Sequence, residues 1–305
     1  MSQIEKNRFE RDALIRKIRR ISAQGQVLVK TGDLVKPETV VARGTVTNPD
    51  VRKVIIYSQL DVDPEEVERY MLKEQGDQVK KDEVIAIHRS FFGRSTKICR
   101  SPIDGTIESF SKSSGSVLIR GTPIAVEVKA HLPGKIVETI PSEGAVVECK
   151  GALIQGRFGV GGEKVGELAI VVARRDEALT NELITNELKG KIIVGGSLVT
   201  IDALRRAASL GVNGIVVGGL DQKDLADFLG YEIGLGVTGK EETGLTVIIT
   251  EGFGPHPMEE ETFHLLKSYE GKQASIDGST QIRTRMLRPE IIIPSKQSER
   301  RDSLL

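Results

Sequence analysis

An internal repeat constrains the fold of this chain more than any other feature of its sequence. The residues GDLVK at 32–36 recur as GDQVK at 76–80, and SPIDGTI at 101–107 recurs in shorter form as LPGKI at 132–136. Glycine permits the positive φ that a tight turn requires, and the apolar alternation after each turn is typical of a half-buried strand. The repeat therefore predicts small β modules built from short strands and matched turns.

The order of motifs in residues 76–121 resembles the biotinyl/lipoyl carrier domain and its unmodified relatives, the barrel-sandwich hybrid domains. A G-D-x-V turn and strand lead to a hairpin tip, and S-P-x-D-G-x-I leads into the returning strand. Residues 25–44 and 134–156 share the pattern more loosely. The resemblance implies one or more barrel-sandwich hybrid β domains. The whole order of segments is also similar to that of bacterial proteins of unassigned function.

The resemblance does not extend to the lysine that carries the cofactor. Arg94 lies eleven residues before Gly105, at the tip position where similar biotin carriers hold their modified lysine. Arginine cannot form the amide bond, so we expect no covalent cofactor. Phe91 and Phe92 beside Arg94 are instead a candidate partner-binding tip, because aromatic and arginine side chains anchor many protein contacts. Alternatively, the two phenylalanines pack over the open end of the barrel.

Residues 1–24 carry a basic amphipathic pattern. Between residues 3 and 21 there are seven Lys or Arg residues and three Asp or Glu residues. The apolar positions recur at roughly helical spacing: Phe9, Leu14, Ile15, Ile18 and Ile21. This segment is predicted to form an amphipathic helix that either docks on the chain's own barrel or binds a partner or an anionic surface.

The periodicity changes near residue 176. Strand-like and helix-like segments alternate from there, which is typical of right-handed β-α-β units. Strands are expected at 191–194, 214–217, 245–254 and 272–277, and helices at 197–210, from 221 and at 257–269. We therefore expect residues 176–294 to form a three-layer α/β domain with a short, mostly parallel sheet. The predicted fold class is α+β multidomain, with the barrel-sandwich hybrid β region at 25–175 and a disordered tail at 295–305.

Glycines follow three of the expected strands, at the ends where open α/β sheets commonly bind ligands. The candidate ligand-binding residues are Gly195, Gly196, Ser197, Gly218, Gly219, Gly252 and His256. The loop at Ser197 contains no acid, so a small anionic ligand is a possible occupant. Ser197 is predicted to be the N-cap of the following helix, or an N-cap that also contacts an anion. His256 with Glu251 is a further possibility, as an acid/base pair.

Charge and composition narrow the choice of partners. Lys plus Arg equals Asp plus Glu at 43 each, so no overall field attracts nucleic acid, which is disfavoured as a partner. The histidines and cysteines lack metal-ligand spacing, and we expect no metal site. Cys99 and Cys149 are predicted to be buried thiols of a reducing compartment. No apolar run is long enough for a transmembrane segment, so the expected location is cytoplasmic.

These patterns favour a non-enzymatic assembly or adaptor protein with one or more protein partners and no cofactor. No residue is assigned a catalytic role in this hypothesis. Two alternatives stay open. One is a small-molecule-binding regulator with its pocket at the strand ends of the α/β segment, and the other is an enzyme that uses His256 and Glu251.

Overall fold

The computed structural model describes residues 9–23, 25–89, 95–231, 243–280 and 288–295. Packing divides the chain into two compact units. Of the described residues, those within 21–26 and 42–127 form the inserted unit, and the others form the main unit. These limits differ from the boundaries after residues 24, 175 and 294 that the sequence suggested.

The strands, in chain order, are β1 (Phe9–Arg20), β2 (Gly25–Val27), β3 (Leu34–Val35), β4 (Val40–Val46), β5 (Val51–Ile55), β6 (Gln78–Val79), β7 (Val84–Arg89), β8 (Thr96–Arg100), β9 (Gly105–Ser111), β10 (Ser116–Gly121), β11 (Ile124–Lys129), β12 (Gly134–Ile140), β13 (Gly144–Gln155), β14 (Phe158–Val160), β15 (Glu163–Ile170), β16 (Ala178–Leu179), β17 (Ile192–Val194), β18 (Leu198–Val199), β19 (Gly214–Leu220), β20 (Thr246–Phe253), β21 (Gln273–Asp277) and β22 (Glu290–Pro294). The α-helices are α1 (Ile56–Leu60), α2 (Ile201–Leu210), α3 (Gln222–Leu229) and α4 (Glu260–Ser268). Three 3₁₀ turns lie at Pro64–Tyr70, Asn181–Leu183 and Asn186–Leu188.

The main unit is built on a 13-stranded mixed sheet. Its order is β14-β20-β19-β17-β15-β21-β22-β13-β12-β3, with β1 beside β13, β16 beside β18, and β18 beside β19. Neighbours from β20 through β15 run parallel, and β21, β22, β13 and β12 continue the sheet in antiparallel pairs. Side chains from α2 and α3 belong to one buried cluster, whereas those from α4 belong to another.

The expected three-layer α/β domain with a short, mostly parallel sheet is therefore wrong. Among the described residues, strands make up 47% and helices, including the 3₁₀ segments, make up 17%. The reason lies in β15, which pairs in parallel with β17 on one side and antiparallel with β21 on the other. One continuous sheet thus contains strands from both sides of residue 176, where the sequence pattern predicted a boundary between a β region and an α/β domain.

The N-terminal segment also differs from its prediction. Phe9–Arg20 is a β-strand rather than an amphipathic helix, and it pairs antiparallel with β13 on both sides of a bulge between Glu10 and Ala13. Ala13 and Ile15 are buried, whereas Leu14 between them is exposed. This alternation is the period of two that a strand requires, and the pairing with β13 supplies the backbone hydrogen bonds that a helix would otherwise make internally.

The two Gly-Asp turns fold alike, as the internal repeat indicates. Gly32 and Gly76 have φ of 101° and 96°. The amide of Gly32 donates to the carbonyl of Ile136, and the amide of Gly76 donates to that of Ile107, each at 2.8 Å. Ile136 and Ile107 are the equivalent residues of the second repeated motif. Both motifs of the repeat therefore belong to one structural unit that occurs twice.

The inserted unit has a core of its own. Its four-stranded sheet has the order β5-β10-β9-β6, and β7 and β8 form a separate hairpin. The core is entirely aliphatic apart from one thiol, and its largest fully buried members include Ile56, Leu60, Ile85, Ile107 and Ile119. The chain passes from one unit to the other at four points, one directly after β1 and one in each of β2, β4 and β11.

Candidate functional site

The glycine loops at the ends of β17, β19 and β20 meet at one end of the sheet. The amide of Gly218 donates to the carbonyl of Gly196 at 2.7 Å, and Gly219 lies opposite Gly252 in the ladder between β19 and β20. The amide of His256 donates to the carbonyl of Ser197 at 3.1 Å. The candidate ligand-binding residues thus lie together, as parallel strands of one sheet require.

Backbone atoms occupy the space beside these glycines. A Cβ on Gly218 would collide with the carbonyl oxygen of His256 and lie 2.9 Å from that of Gly196. A Cβ on Gly219 would collide with the carbonyl oxygen of Gly254. The glycines therefore permit a close approach of backbone segments. Their role in binding a ligand stays a prediction.

Ser197 is not the N-cap of helix α2. The short strand β18 separates them, and Thr200 is the N-cap, with its side chain accepting a hydrogen bond from the amide of Ala203. The hydroxyl of Ser197 donates instead to the carbonyl of Asp176 at 2.8 Å. This serine therefore holds the preceding loop, and the amides at the start of α2 are several residues away from it.

His256 and Glu251 both contact nearby backbone. Nε2 of His256 lies 2.9 Å from the carbonyl oxygen of Phe253. Oε1 of Glu251 accepts a hydrogen bond from the amide of Glu259, next to the start of α4. The second contact stabilises the positive end of a helix. The acid/base role suggested for this pair stays a prediction.

Phe91, Phe92 and Arg94, the candidate partner-binding tip, lie outside the described residues. The strands that lead to and from them are described. In the β7–β8 hairpin, Arg89 lies opposite Thr96. The tip prediction therefore continues to depend on the sequence alone.

A small cleft lies in the inserted unit. Its volume is about 190 Å³, and it is lined by Thr45, Val46, Thr47, Asn48, Thr106, Arg120, Gly121 and Pro123. The Arg120 guanidinium is already paired, with Glu108 at 2.6 Å and with the carbonyl of Asn48 at 3.2 Å. An incoming anion would therefore have to compete with Glu108 for the guanidinium.

The outer face of β1 is the feature that the helical prediction missed. We use this name for the side chains of Asp12, Leu14, Arg16, Ile18 and Arg20. The exposed fractions of Leu14 and Ile18 are 55% and 59%. Arg16 pairs with Glu148 on β13 at 2.7 Å. An aliphatic and basic stripe therefore lies on a strand that, among the described residues, pairs with β13 alone.

The opposite face of β1 is held by ion pairs as well as by apolar packing. Lys17 pairs with Glu290 on β22, and Arg19 makes a bidentate pair with Glu163 on β15. The Nε of Arg19 also donates to the carbonyl of Lys129 at 2.7 Å. Because these partners are distant in sequence, the two ion pairs and the hydrogen bond fix β1 against three separate parts of the main unit.

Titration of the acids around β1 follows from these contacts. Burial raises the pKa of Glu290, although Lys17 opposes the shift. Burial also tends to raise the pKa of Glu163, but the hydrogen bond from Arg19 and nearby positive charges outweigh it, so the pKa of Glu163 is lowered. The pKa values of the two acids on this inner face are therefore shifted in opposite directions.

The two cysteines are buried, as predicted. Cys99 and Cys149 are free and buried, and burial raises the pKa of each thiol to about 11. Across the described residues, no group of three or more His, Cys, Asp or Glu is placed to bind a metal ion. The same ranges contain no helix with the length and apolar character needed to cross a membrane.

Comparison of the chain with protein-family models, curated proteins and solved structures finds no match. The similarity to barrel-sandwich hybrid domains therefore stays a hypothesis that depends on the repeated motifs of the sequence.

Proposed function

We propose that this chain is a non-enzymatic assembly protein that holds protein partners on a β scaffold. The observation that carries the proposal is the outer face of β1. A solvated sheet face commonly carries polar side chains, whereas Leu14 and Ile18 are more than half exposed here. Arginine flanks them, and arginine is enriched where proteins meet.

The anchoring of β1 supports the same role. Its inner face is tied to the main unit by Lys17 and Arg19 through their ion pairs, and Ile15 is buried in the core. A strand fixed in this way presents its outer face and edge in one geometry, which reduces the entropy that a partner's binding must overcome. An exposed sheet edge can accept an added strand through main-chain hydrogen bonds.

The duplicated Gly-Asp turn supports the scaffold part of the proposal. In each copy, the turn and its returning strand are joined by the same backbone hydrogen bonds. We interpret the copies as an unmodified, lipoyl-like β scaffold. The two buried, free thiols are consistent with a cytoplasmic, reducing environment.

The geometry offers less support for the two alternatives. Backbone atoms lie within 3 Å of the position that a Cβ would take on Gly218, so this glycine is accounted for by the packing of the chain. For the enzyme, His256 and Glu251 each contact the local backbone. The outer face of β1 therefore supports the assembly role best.

The proposal is tested by charging the outer face of β1. We expect Leu14→Glu to reduce co-purification of the native partner by about tenfold or more, because burying a carboxylate in a contact is unfavourable. The matched control is Leu34→Glu, since Leu34 is 71% exposed and lies on β3 of the same unit. Quantitative mass spectrometry of tagged chains purified under native conditions, with an untagged copy co-expressed, measures both variants. Equal retention of every partner by both variants would contradict the proposal.

A further inference from the structure

We propose that the partner on β1 is a second copy of this chain, whose β1 adds antiparallel to the free edge with the two Leu14 residues directly opposite each other. The inference rests on the proposed function and names the partner for the same surface. A two-fold axis through the Leu14 pair would join the two large sheets into one, as in isologous dimers.

The free edge of β1 is long enough for such pairing. β1 has 12 residues and pairs with β13 from Phe9 to Arg20. In the described part of the chain, no other strand pairs with it. The backbone groups on its second edge therefore have no strand partner there, and an added strand would satisfy them.

The charges of β1 are complementary to themselves in this register. Antiparallel pairing about Leu14 places Asp12 of each copy opposite Arg16 of the other. Arg16 already contacts Glu148 on β13 at 2.7 Å, so it would lie between two carboxylates across adjacent strands. Opposite charges at directly facing positions stabilise a sheet. The two-fold symmetry provides this pair twice.

The apolar residues fit the same register. On the outer face the two Leu14 side chains meet, and each is 55% exposed in the single chain. On the inner face, Ala13 of each copy lies opposite Ile15 of the other. Aliphatic neighbours therefore face one another on both sides of the new ladder, as cross-strand packing favours.

Neighbouring registers are less favourable. Side chains alternate between the two faces of a strand. Only registers that keep the outer-face residues of both copies on the same side of the joined sheet are therefore considered. Pairing about Ile15 would place Leu14 opposite Arg16. Pairing about Arg16 would place two arginines opposite each other, which is destabilising. A bulge between Glu10 and Ala13 contains Asp12 and interrupts the regular strand, so in the Leu14 register the two Asp12–Arg16 pairs lie at the ends of the regular pairing.

Cysteine cross-linking reads out the register directly. In the Leu14 register, facing Cβ atoms at position 14 lie roughly 5 Å apart, whereas those at position 16 are offset by four residues, or roughly 13 Å. With copper-catalysed air oxidation or a short bismaleimide, we expect Leu14→Cys to form a covalent dimer more than about tenfold faster than Arg16→Cys. Wild-type chain is the background control, because its two buried thiols have raised pKa values and react slowly.

Charge exchange tests the same register without cysteines. Asp12→Arg and Arg16→Asp each create like-charge pairs in a homodimer, and we expect each to weaken self-association by about tenfold. An equimolar mixture of the two variants restores both opposite-charge pairs. We therefore expect a heterodimer to form in the mixture, measured by native mass spectrometry.

The outcomes separate this inference from the proposed function. Fast cross-linking at position 14 with heterodimer formation supports the Leu14 register. Faster cross-linking at position 16, or at neither position, overturns it, as does a mixture that stays monomeric. If the wild-type chain is monomeric but Leu14→Glu loses a different co-purifying protein, the self-association inference fails and the proposed function stands. If the wild-type chain is monomeric and Leu14→Glu retains every co-purifying protein, both fail.

Discussion

His131 lies among charged groups of the main unit. Its φ is 65°, in the left-handed region that residues other than glycine seldom adopt. Removal of the ring from water lowers its pKa, and Arg19 lowers it further. The charges of Glu163 and Asp277, with a hydrogen bond to the carbonyl of Ile276, oppose the shift. The folded state therefore favours the neutral imidazole.

This preference makes stability depend on pH. Above the ordinary histidine pKa of about 6.5, His131 is neutral in both states. Below it, the unfolded chain takes up the proton more readily, so the free energy of unfolding falls as the pH falls. We expect His131→Asn to flatten this dependence between about pH 7 and 5, because asparagine tolerates the same φ and does not titrate. Urea unfolding of both proteins across that range measures the effect.

Two nearby acids also make stability depend on pH, so the wild type and the variant must be compared over the same pH range. The lowered pKa of Glu163 removes stability at lower pH, in the same direction as His131. The raised pKa of Glu290 acts in the opposite direction, because the folded state takes up that proton first as the pH falls. The difference between wild type and variant reports the titration of His131 together with its charge interaction with Glu163. An identical pH slope in the two proteins would contradict the assignment.

At the scale of elements, the duplicated turn makes a matched prediction. Gly32 and Gly76 have positive φ and no atoms within 4 Å of the position that a Cβ would take. Alanine at either site is therefore strained without a clash, at a cost of about 1–2 kcal/mol. We expect Gly76→Ala to speed hydrogen exchange at the Ile107 amide by about tenfold, and Gly32→Ala to have the same effect at Ile136. If one substitution speeds exchange by about tenfold and the other leaves the exchange rate unchanged, the two turns are not equivalent.

The sequence predicted local elements better than their assembly. The Gly-Asp turns were predicted because a short motif and its positive φ are local properties. The expected segments at 191–194, 214–217 and 272–277 correspond to β17, β19 and β21. The 13-stranded sheet was missed because β15 and β21, like β13 and β22, pair across more than 100 residues. Single-sequence periodicity contains no signal for such register.

Strand β1 shows why one pattern can support two structures. Isoleucines at positions 15, 18 and 21 have a spacing of three, which favours a helix. A strand would be indicated by apolar and polar residues that alternate from Ala13 to Arg19. This alternation is obscured because two of the inner-face positions are the charged residues Lys17 and Arg19. Their acidic partners Glu290 and Glu163 lie far away in sequence, so these positions looked solvent-exposed. The glycine loops lie at one end of the sheet, whereas the close approach of backbone to Gly218 and Gly219 could be seen only in the folded chain.

At the scale of the whole molecule, β1 lies at an edge of the large sheet that no other described strand covers. A long, accessible edge strand invites uncontrolled pairing unless it is protected. The bulge between Glu10 and Ala13 shortens the regular segment, and charged residues at positions 12 and 16 make most registers unfavourable. A strand that binds this edge must therefore carry complementary charges and fit the short regular segment. A second copy of β1 would meet both conditions.

The molar mass in solution tests this account most directly. Multi-angle light scattering across a concentration series should give the wild-type chain a mass approaching twice its 33.3 kDa, and Leu14→Glu the single-chain mass. The control Leu34→Glu should behave as the wild type does. A wild-type mass that stays at 33.3 kDa throughout the series, or a Leu14→Glu variant that dimerises as well as the wild type, would contradict it.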